Sequence, residues 1–252
     1  MTMELTTVAT WALCIGVIVA FQFLIGGGRA RVDVKAIAKR QDLHLQRKAQ
    51  HAVTGLMIYV VSGMFPVYAD VTVLFTCALA FYGLHALRKR SKRVDMLYLR
   101  CFHGLLRREE IQKAVLPGAF YFLVGSGLVL SLFPTAIARL AILHLSFGDP
   151  SASLIGSRFG RRRLASGKSF EGFLGCWIVA SLVTWVESGI SVSITHSALR
   201  GLCAAVAESI DFGWDDNLSL PVISALLQTG LTYLGTFLGT FLGTYLGGVS
   251  IV

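Results

Sequence analysis

The run A-V-L-P-G-A-F-Y-F-L-V-G-S-G-L-V-L-S-L-F, residues 114–133, contains no charged side chain. A helix of about 20 mostly apolar residues crosses a hydrocarbon core ~30 Å thick, so this stretch reads as a membrane span. Comparable runs cover 8–27, 51–68, 70–87, 135–147, 171–190, 198–210 and 219–250. Two of them, 135–147 and 198–210, are short for a full crossing. Short or broken helices are tolerated where they line a cavity rather than lipid. Of the 252 residues 54% are hydrophobic and 15% charged, and the mean hydropathy is +0.67. A soluble domain carries nearer a quarter charged residues. The expected fold is all-α, a polytopic integral membrane bundle of about eight spans, some short. The spans use up the length, so one transmembrane domain, 1–252, is expected. Residues 1–45 form a first span and basic loop, 46–230 the core, and 231–252 the Gly-rich end of the last span.

The Lys and Arg side chains test that count. Of 23, seven fall in 29–48, nine in 88–113 and five in 158–168, leaving only Arg139 and Arg200 elsewhere. With eight spans these three segments share one side of the membrane. The segments predicted opposite them, near Met64–Asp70, Pro134 and Ser188–Ser197, hold no Lys or Arg. The positive-inside rule places the basic side in the cytosol. A net charge of +9 would suggest nucleic acid in a soluble protein. Placed between spans, it serves topology and meets headgroups or phosphates, so no nucleic-acid partner is expected. Val8–Ile25 lacks a basic n-region and a small-x-small cleavage site, and reads as a retained span. Five scattered Cys without C-x-x-C spacing argue against a disulfide framework or a zinc site.

Near the end, Gly235, Gly239, Gly243 and Gly247 recur every fourth residue. Such a stripe lets helices approach closely in lipid, either within the chain or across a homodimer seam.

Three segments carry candidate chemistry. In G-D-P-S-A-S-L-I-G-S-R-F-G, 148–160, followed by R-R-R and G-K-S-F-E-G, 167–172, small residues would let backbone N–H groups reach phosphate oxygens. Asp149 is a hard oxygen ligand of the kind Mg²⁺ takes beside phosphates. The spacing is not a Walker A loop, and a basic loop set only by topology is the plainer alternative. In R-K-A-Q-H-A-V-T-G, 47–55, Arg47, His51 and Gly55 share a helix face with Lys48 beside it. An Arg there suits phosphate oxygens, while His51 is a general base or holds a hydrogen bond. In D-F-G-W-D-D-N-L-S-L-P, 211–221, Asp216 and Asn217 cap a helix or contact a metal or nucleotide. Glu208, inside a short span, is a costly intramembrane acid.

Together R-K-A-Q-H-A-V-T-G, G-D-P-S-A-S-L-I-G-S-R-F-G, G-K-S-F-E-G and D-N-L-S-L-P, in this order across about 45–230, resemble the polyprenol kinase family of dolichol, phytol, farnesol and CTP-dependent diacylglycerol kinases. The resemblance implies transfer of the γ-phosphate of CTP to a lipid alcohol with Mg²⁺ or Ca²⁺, in the endoplasmic reticulum or nuclear envelope. The chain lacks the extra N-terminal spans of many dolichol kinases, which favours diacylglycerol as acceptor. By position, the resemblance implies catalytic roles for Asp149, Arg47, Lys48 and His51. It implies nucleotide binding by Gly148, Ser151, Gly156, Arg158, Gly160, Lys168, Ser169 and Glu171, and metal binding by Asp149, Asp216 and Asn217. G-K-S-F-E-G also resembles the phosphatidate cytidylyltransferases, but their basic K-R…K-D ending is replaced here by W-D-D-N-L-S-L-P. A lipid transporter or scramblase would need no meeting of Arg47, Lys48 and Asp149.

Overall fold

The computed structural model describes residues 2–26, 45–102, 105–112, 115–189 and 192–246. Within them the regular structure is all helix, joined by short turns, with one isolated β-bridge between Arg163 and Ser169. In chain order the helices are α1 (Thr2–Gly26), α2 (Leu45–Val61), α3 (Val67–Arg90), α4 (Lys92–Phe102), α5 (Arg108–Gln112), α6 (Gly118–Leu132) and α7 (Thr135–Leu143). After a π-helical segment, His144–Gly148, come α8 (Asp149–Phe159), α9 (Phe170–Glu187), α10 (Ile194–Ser209) and α11 (Asp216–Leu246). Most of the first basic segment, 29–44, and Gly247 lie outside the described residues.

Val67–Arg90, Phe170–Glu187 and Asp216–Thr240 are long and apolar enough to cross a bilayer, and Ala9–Ala20 and Gly118–Leu132 are shorter apolar helices. Their outer faces present uncovered Leu79 and Tyr82, Ile178 and Val186, and Leu226 and Tyr233. Contiguous apolar surface of this extent marks a face built for a partner or a membrane, and on helices this long the partner is lipid. The protein is an integral membrane protein.

Among the described residues three interior clusters hold the helices together, the smallest being Tyr98, Leu99 and Leu106 beside α3, α4 and α5. Ile58, Leu74, Val129, Ile142, Leu145 and Leu220 join α2, α3, α6, α7, the π segment and α11. Ala152, Cys176, Ala180, Ala204 and Ala205 line the contact of α8, α9 and α10. Small residues there let helix backbones close on one another, which is how helices gain contact energy in lipid. Gly125 does the same between α6 and α11, since a Cβ there would lie 2.5 Å from the Asn217 carbonyl oxygen.

The rod α7–π–α8 runs unbroken from Thr135 to Phe159 because of how it absorbs Pro150. Proline has no N–H and its ring crowds the carbonyl four residues earlier. Widening to π geometry just upstream accommodates both, and such segments recur at functional sites. Behind it, the fully buried His144 bonds Thr184 Oγ1 through Nε2 at 2.9 Å, and Nδ1 lies 3.1 Å from Ser224 Oγ. The Thr184 hydroxyl proton is already given to the Ala180 carbonyl. His144 Nε2 therefore donates and Nδ1 accepts, which pins the rod to α9 and α11.

The bundle has two distinct ends. At one, the Arg139 guanidinium donates to the Tyr59 carbonyl at 3.3 Å and stacks on the Tyr59 ring, and the Tyr59 hydroxyl donates to Glu187. At the other end lie the starts of α2, α8, α9 and α11 and the segment before α5, and these enclose a cavity.

Candidate functional site

The cavity has a volume of about 460 Å³, within the range of small-molecule sites. It draws on all three basic segments and on the acidic segment before α11. Arg47, Lys48 and His51 enter from α2, Arg107 from the α4–α5 connection, Asp149 from the rod, Lys168 and Ser169 from the α8–α9 connection, and Asp216 from α11. Thus Arg47, Lys48 and Asp149, predicted from separate motifs, share one cleft.

The α2 face is arranged as its spacing predicts. A Cβ on Gly55 would collide with the Ser146 side chain, so this glycine lets α2 lie directly on the π segment. One turn earlier, His51 Nε2 donates to the Leu145 carbonyl at 3.1 Å, and its ring meets Phe122 edge-on at 4.6 Å. His51 therefore holds a hydrogen bond that ties α2 to the rod. Another turn earlier, Arg47 reaches the cavity. Neither Arg47, Lys48 nor Asp149 has an ion-pair partner within contact distance among the described residues.

The expected Gly-rich loop is different. Residues 149–159 form a helix that continues directly from the π segment, which accommodates Pro150. Gly156 is a packing glycine: a Cβ there would lie 2.5 Å from Ser169 Oγ. Gly148 packs against Cys176, and Ser151 Oγ donates to the Gly148 carbonyl at 2.7 Å. Arg158 is exposed beside Phe159 and does not line the cavity. The true loop is the tight turn between α8 and α9. Phe170 N–H bonds the Arg162 carbonyl, Leu164 N–H bonds the Lys168 carbonyl, and Gly167 sits at φ +83°, a conformation that favours glycine. Glu171 accepts the Arg161 and Arg162 N–H groups, and Ser169 caps α9 by accepting Gly172 N–H at 3.0 Å. Glu171 and Ser169 thereby fasten the turn that carries Lys168.

Lys168 is clamped. Its Nζ lies 3.2 Å from Glu208 Oε1 and 3.2 Å from Asp216 Oδ1, and it donates to the Glu208 carbonyl. Burial works against its charge, but the two carboxylates outweigh that and hold the ammonium above its ordinary range. Glu208, a costly acid when read from sequence, is Lys168's counterion.

Asn217 is turned away, donating to the Gly118 carbonyl at 3.1 Å. Of the three expected metal ligands, then, only Asp149 and Asp216 line the cavity. No group of three His, Cys, Asp or Glu side chains converges as a metal cage among the described residues. A Mg²⁺ that arrives with a nucleotide needs one or two carboxylates beside the phosphates and keeps several waters. The unpaired Asp149 fits that demand. Arg107, Arg163 and Ser153 also line the cavity; Ser153 and Arg163 fall within the 148–163 stretch without being singled out by it as site residues, and Arg107 belongs to no motif.

Among curated proteins the chain is 29% identical over 201 residues to CTP-dependent diacylglycerol kinase 1 of Schizosaccharomyces pombe, covering 73% of this chain and 91% of that one. It is 24% identical over 243 residues to the dolichol kinase of the same organism, covering 88% of this chain and 46% of that one. It is 31% identical over 129 residues to the phytol kinase of Synechocystis sp., covering 46% and 55%. The chain thus spans most of the first relative's length and about half of the other two. No family model matches the chain, and no solved structure matches it significantly.

Proposed function

We propose that this chain, a member of the polyprenol kinase family of lipid kinases, transfers the γ-phosphate of CTP to the hydroxyl of diacylglycerol and yields phosphatidate. The observation that carries this reading is one cavity at the end of a membrane bundle, lined by Arg47, Lys48, Lys168 and Asp149. Support for CTP and for diacylglycerol comes from the first relative's name. The dolichol and phytol kinases among the relatives make a polyprenol or phytol hydroxyl the second reading.

In the reaction the lipid hydroxyl oxygen forms a bond to the γ-phosphorus as the bond from that phosphorus to the bridging oxygen breaks. The electron pair leaves on the β-phosphate of CDP, and the hydroxyl proton passes to solvent or to a phosphate oxygen. Such transfer depends mainly on alignment and on neutralising charge. Arg47 and Lys48 supply unpaired positive charge to the triphosphate, and Lys168 adds a third cation held in place. His51 sets the distance between α2 and the rod, keeping Arg47 opposite Asp149. Asp149 is the residue that would hold Mg²⁺ or Ca²⁺, which when bound neutralises phosphate charge.

The wider reading keeps 1–252 as one membrane domain of eight spans, with 46–230 as its catalytic core. The basic segments face the cytosol, in the endoplasmic reticulum or nuclear envelope. A homodimer through Gly235, Gly239, Gly243 and Gly247 belongs to the same proposal, and a Cβ on Gly235 or Gly239 would meet nothing within 4 Å. The test is γ-labelled CTP or ATP offered to the purified full chain with diacylglycerol, dolichol, phytol or farnesol. Labelled phosphatidate and released CDP are expected. Label on another lipid moves the assignment to the second reading, and no transfer to any of them overturns both.

A further inference from the structure

Arg107 belongs to none of the four motifs, yet it lines the same cavity as Arg47, Lys48 and Asp149. Its guanidinium is gripped by Asp215, with Nη1 2.7 Å from Oδ2 and Nη2 3.5 Å from Oδ1. On its other side Nε lies 4.0 Å from Glu110 Oε1. Both carboxylates are themselves fixed. Glu110, which is buried, accepts Gly118 N–H at 2.9 Å and Arg107 N–H at 3.1 Å. Asp215 accepts Asn217 N–H at 3.0 Å, and its carbonyl receives Leu218 and Ser219 N–H at the start of α11.

A guanidinium has five N–H donors. The grip of Asp215 leaves one N–H on each terminal nitrogen, and the side chain stays 38% exposed. The ion pair alone is a weak reason for this arrangement, since partly exposed pairs contribute little to stability. The cavity lining carries five cationic side chains, Arg47, Lys48, Arg107, Arg163 and Lys168, against three carboxylates, Asp149, Glu208 and Asp216. Asp215 and Glu110 behind Arg107 bring the carboxylates to five, so the unclaimed N–H donors of Arg107, and not a net excess of charge, mark it as a contact for an anion.

We infer that Arg107 is a catalytic residue of this site, donating its two remaining terminal N–H groups to oxygens of the triphosphate, with Asp215 as its positioning residue. The inference rests on the kinase reading and deepens it. The adjacent acids Asp215 and Asp216 then share one task, each aiming a cation: Asp215 aims Arg107 and Asp216 aims Lys168. A planar fork on a fixed carboxylate is preorganised for tetrahedral phosphate in a way a flexible ammonium is not.

The experiment measures kcat and KM for CTP and for lipid on the purified full chain as wild type, R107A, R107K and D215N, with thermal melting of each. Expected for R107A is a kcat about 100-fold lower, a lipid KM within about threefold, a modest fall in melting temperature because Asp215 and Glu110 lose their counterion, and partial recovery of kcat on adding guanidinium chloride at millimolar concentration. Expected for D215N is a smaller fall in kcat, about tenfold, because the fork is kept but no longer aimed. Wild-type kcat in R107A overturns the inference. So does a loss that follows a lowered melting temperature and is not restored by guanidinium. If R107A does not fold, R107K decides: a kcat at least tenfold down supports the inference and an unchanged one overturns it. Inactive wild type would instead overturn the kinase reading, so the two failures are distinguishable.

Discussion

Among the described residues Arg47 and Lys48 on α2 make no ion pair in the cavity, while Lys168 and Arg107 on the other segments are each held by a pair of carboxylates. The difference separates two jobs that positive charge can do. An unpaired cation in a partly buried site is electrostatically unsatisfied until an anion arrives, so it contributes to binding and catalysis and little to folding. A clamped cation is already part of the fold, and its removal leaves its carboxylates uncompensated. Substitution on the two sides should therefore give different combinations of lost activity and lost stability.

The largest effect is expected from Arg47→Ala. Transfer should fall about 1,000-fold, with a melting temperature within about two degrees of wild type, since no ion pair is lost. A clear drop in melting temperature would remove the distinction between the two sides. Next comes Lys168→Ala, expected to lower kcat about 100-fold and also to destabilise the fold by about 2 kcal/mol. That figure lies below the value for a fully buried pair, because Asp216 is partly exposed. Adding Glu208→Gln to that variant should restore melting without restoring transfer. If it restores both, Lys168 acts through the fold alone.

Binding gives a third measure. Saturating CTP with Mg²⁺ should raise the melting temperature of wild type, because a ligand at 100 times its Kd adds about 2.7 kcal/mol. The shift should vanish in Arg47→Ala and survive in Glu208→Gln. The smallest effect is expected from His51→Gln, which keeps a donor for the Leu145 carbonyl: transfer within about tenfold and an unchanged pH profile. A loss beyond 100-fold with the acidic limb of the pH profile gone would make His51 a general base instead of a strut.

How much of the site could be seen in advance depended on how far apart its parts are in the chain. Arg47, His51 and Gly55 fall on one helix face by spacing, and the face is found packed as expected on the π segment. Gly156 was legible as important, and in the structure it both lines the cavity and sits at a close contact with Ser169. A glycine that cradles a phosphate and a glycine that admits a neighbouring helix carry the same letter, and only the Ser169 hydroxyl 2.5 Å from its missing Cβ reveals the second role. Asn217 was similarly legible as a polar residue at a helix start, but the direction of its amide, toward Gly118, depends on α6 lying alongside. Arg107 was not legible at all, because it reads as one more topogenic charge among nine.

Hydropathy was sufficient for the all-helical membrane fold, because that follows from the cost of each segment in lipid, which is a local quantity. The counterions were decided only in three dimensions. Asp215 is 108 residues from Arg107, and Glu208 and Asp216 are 40 and 48 from Lys168. Electrostatic interaction energy depends on distance in space and on exclusion of water, neither of which sequence separation records.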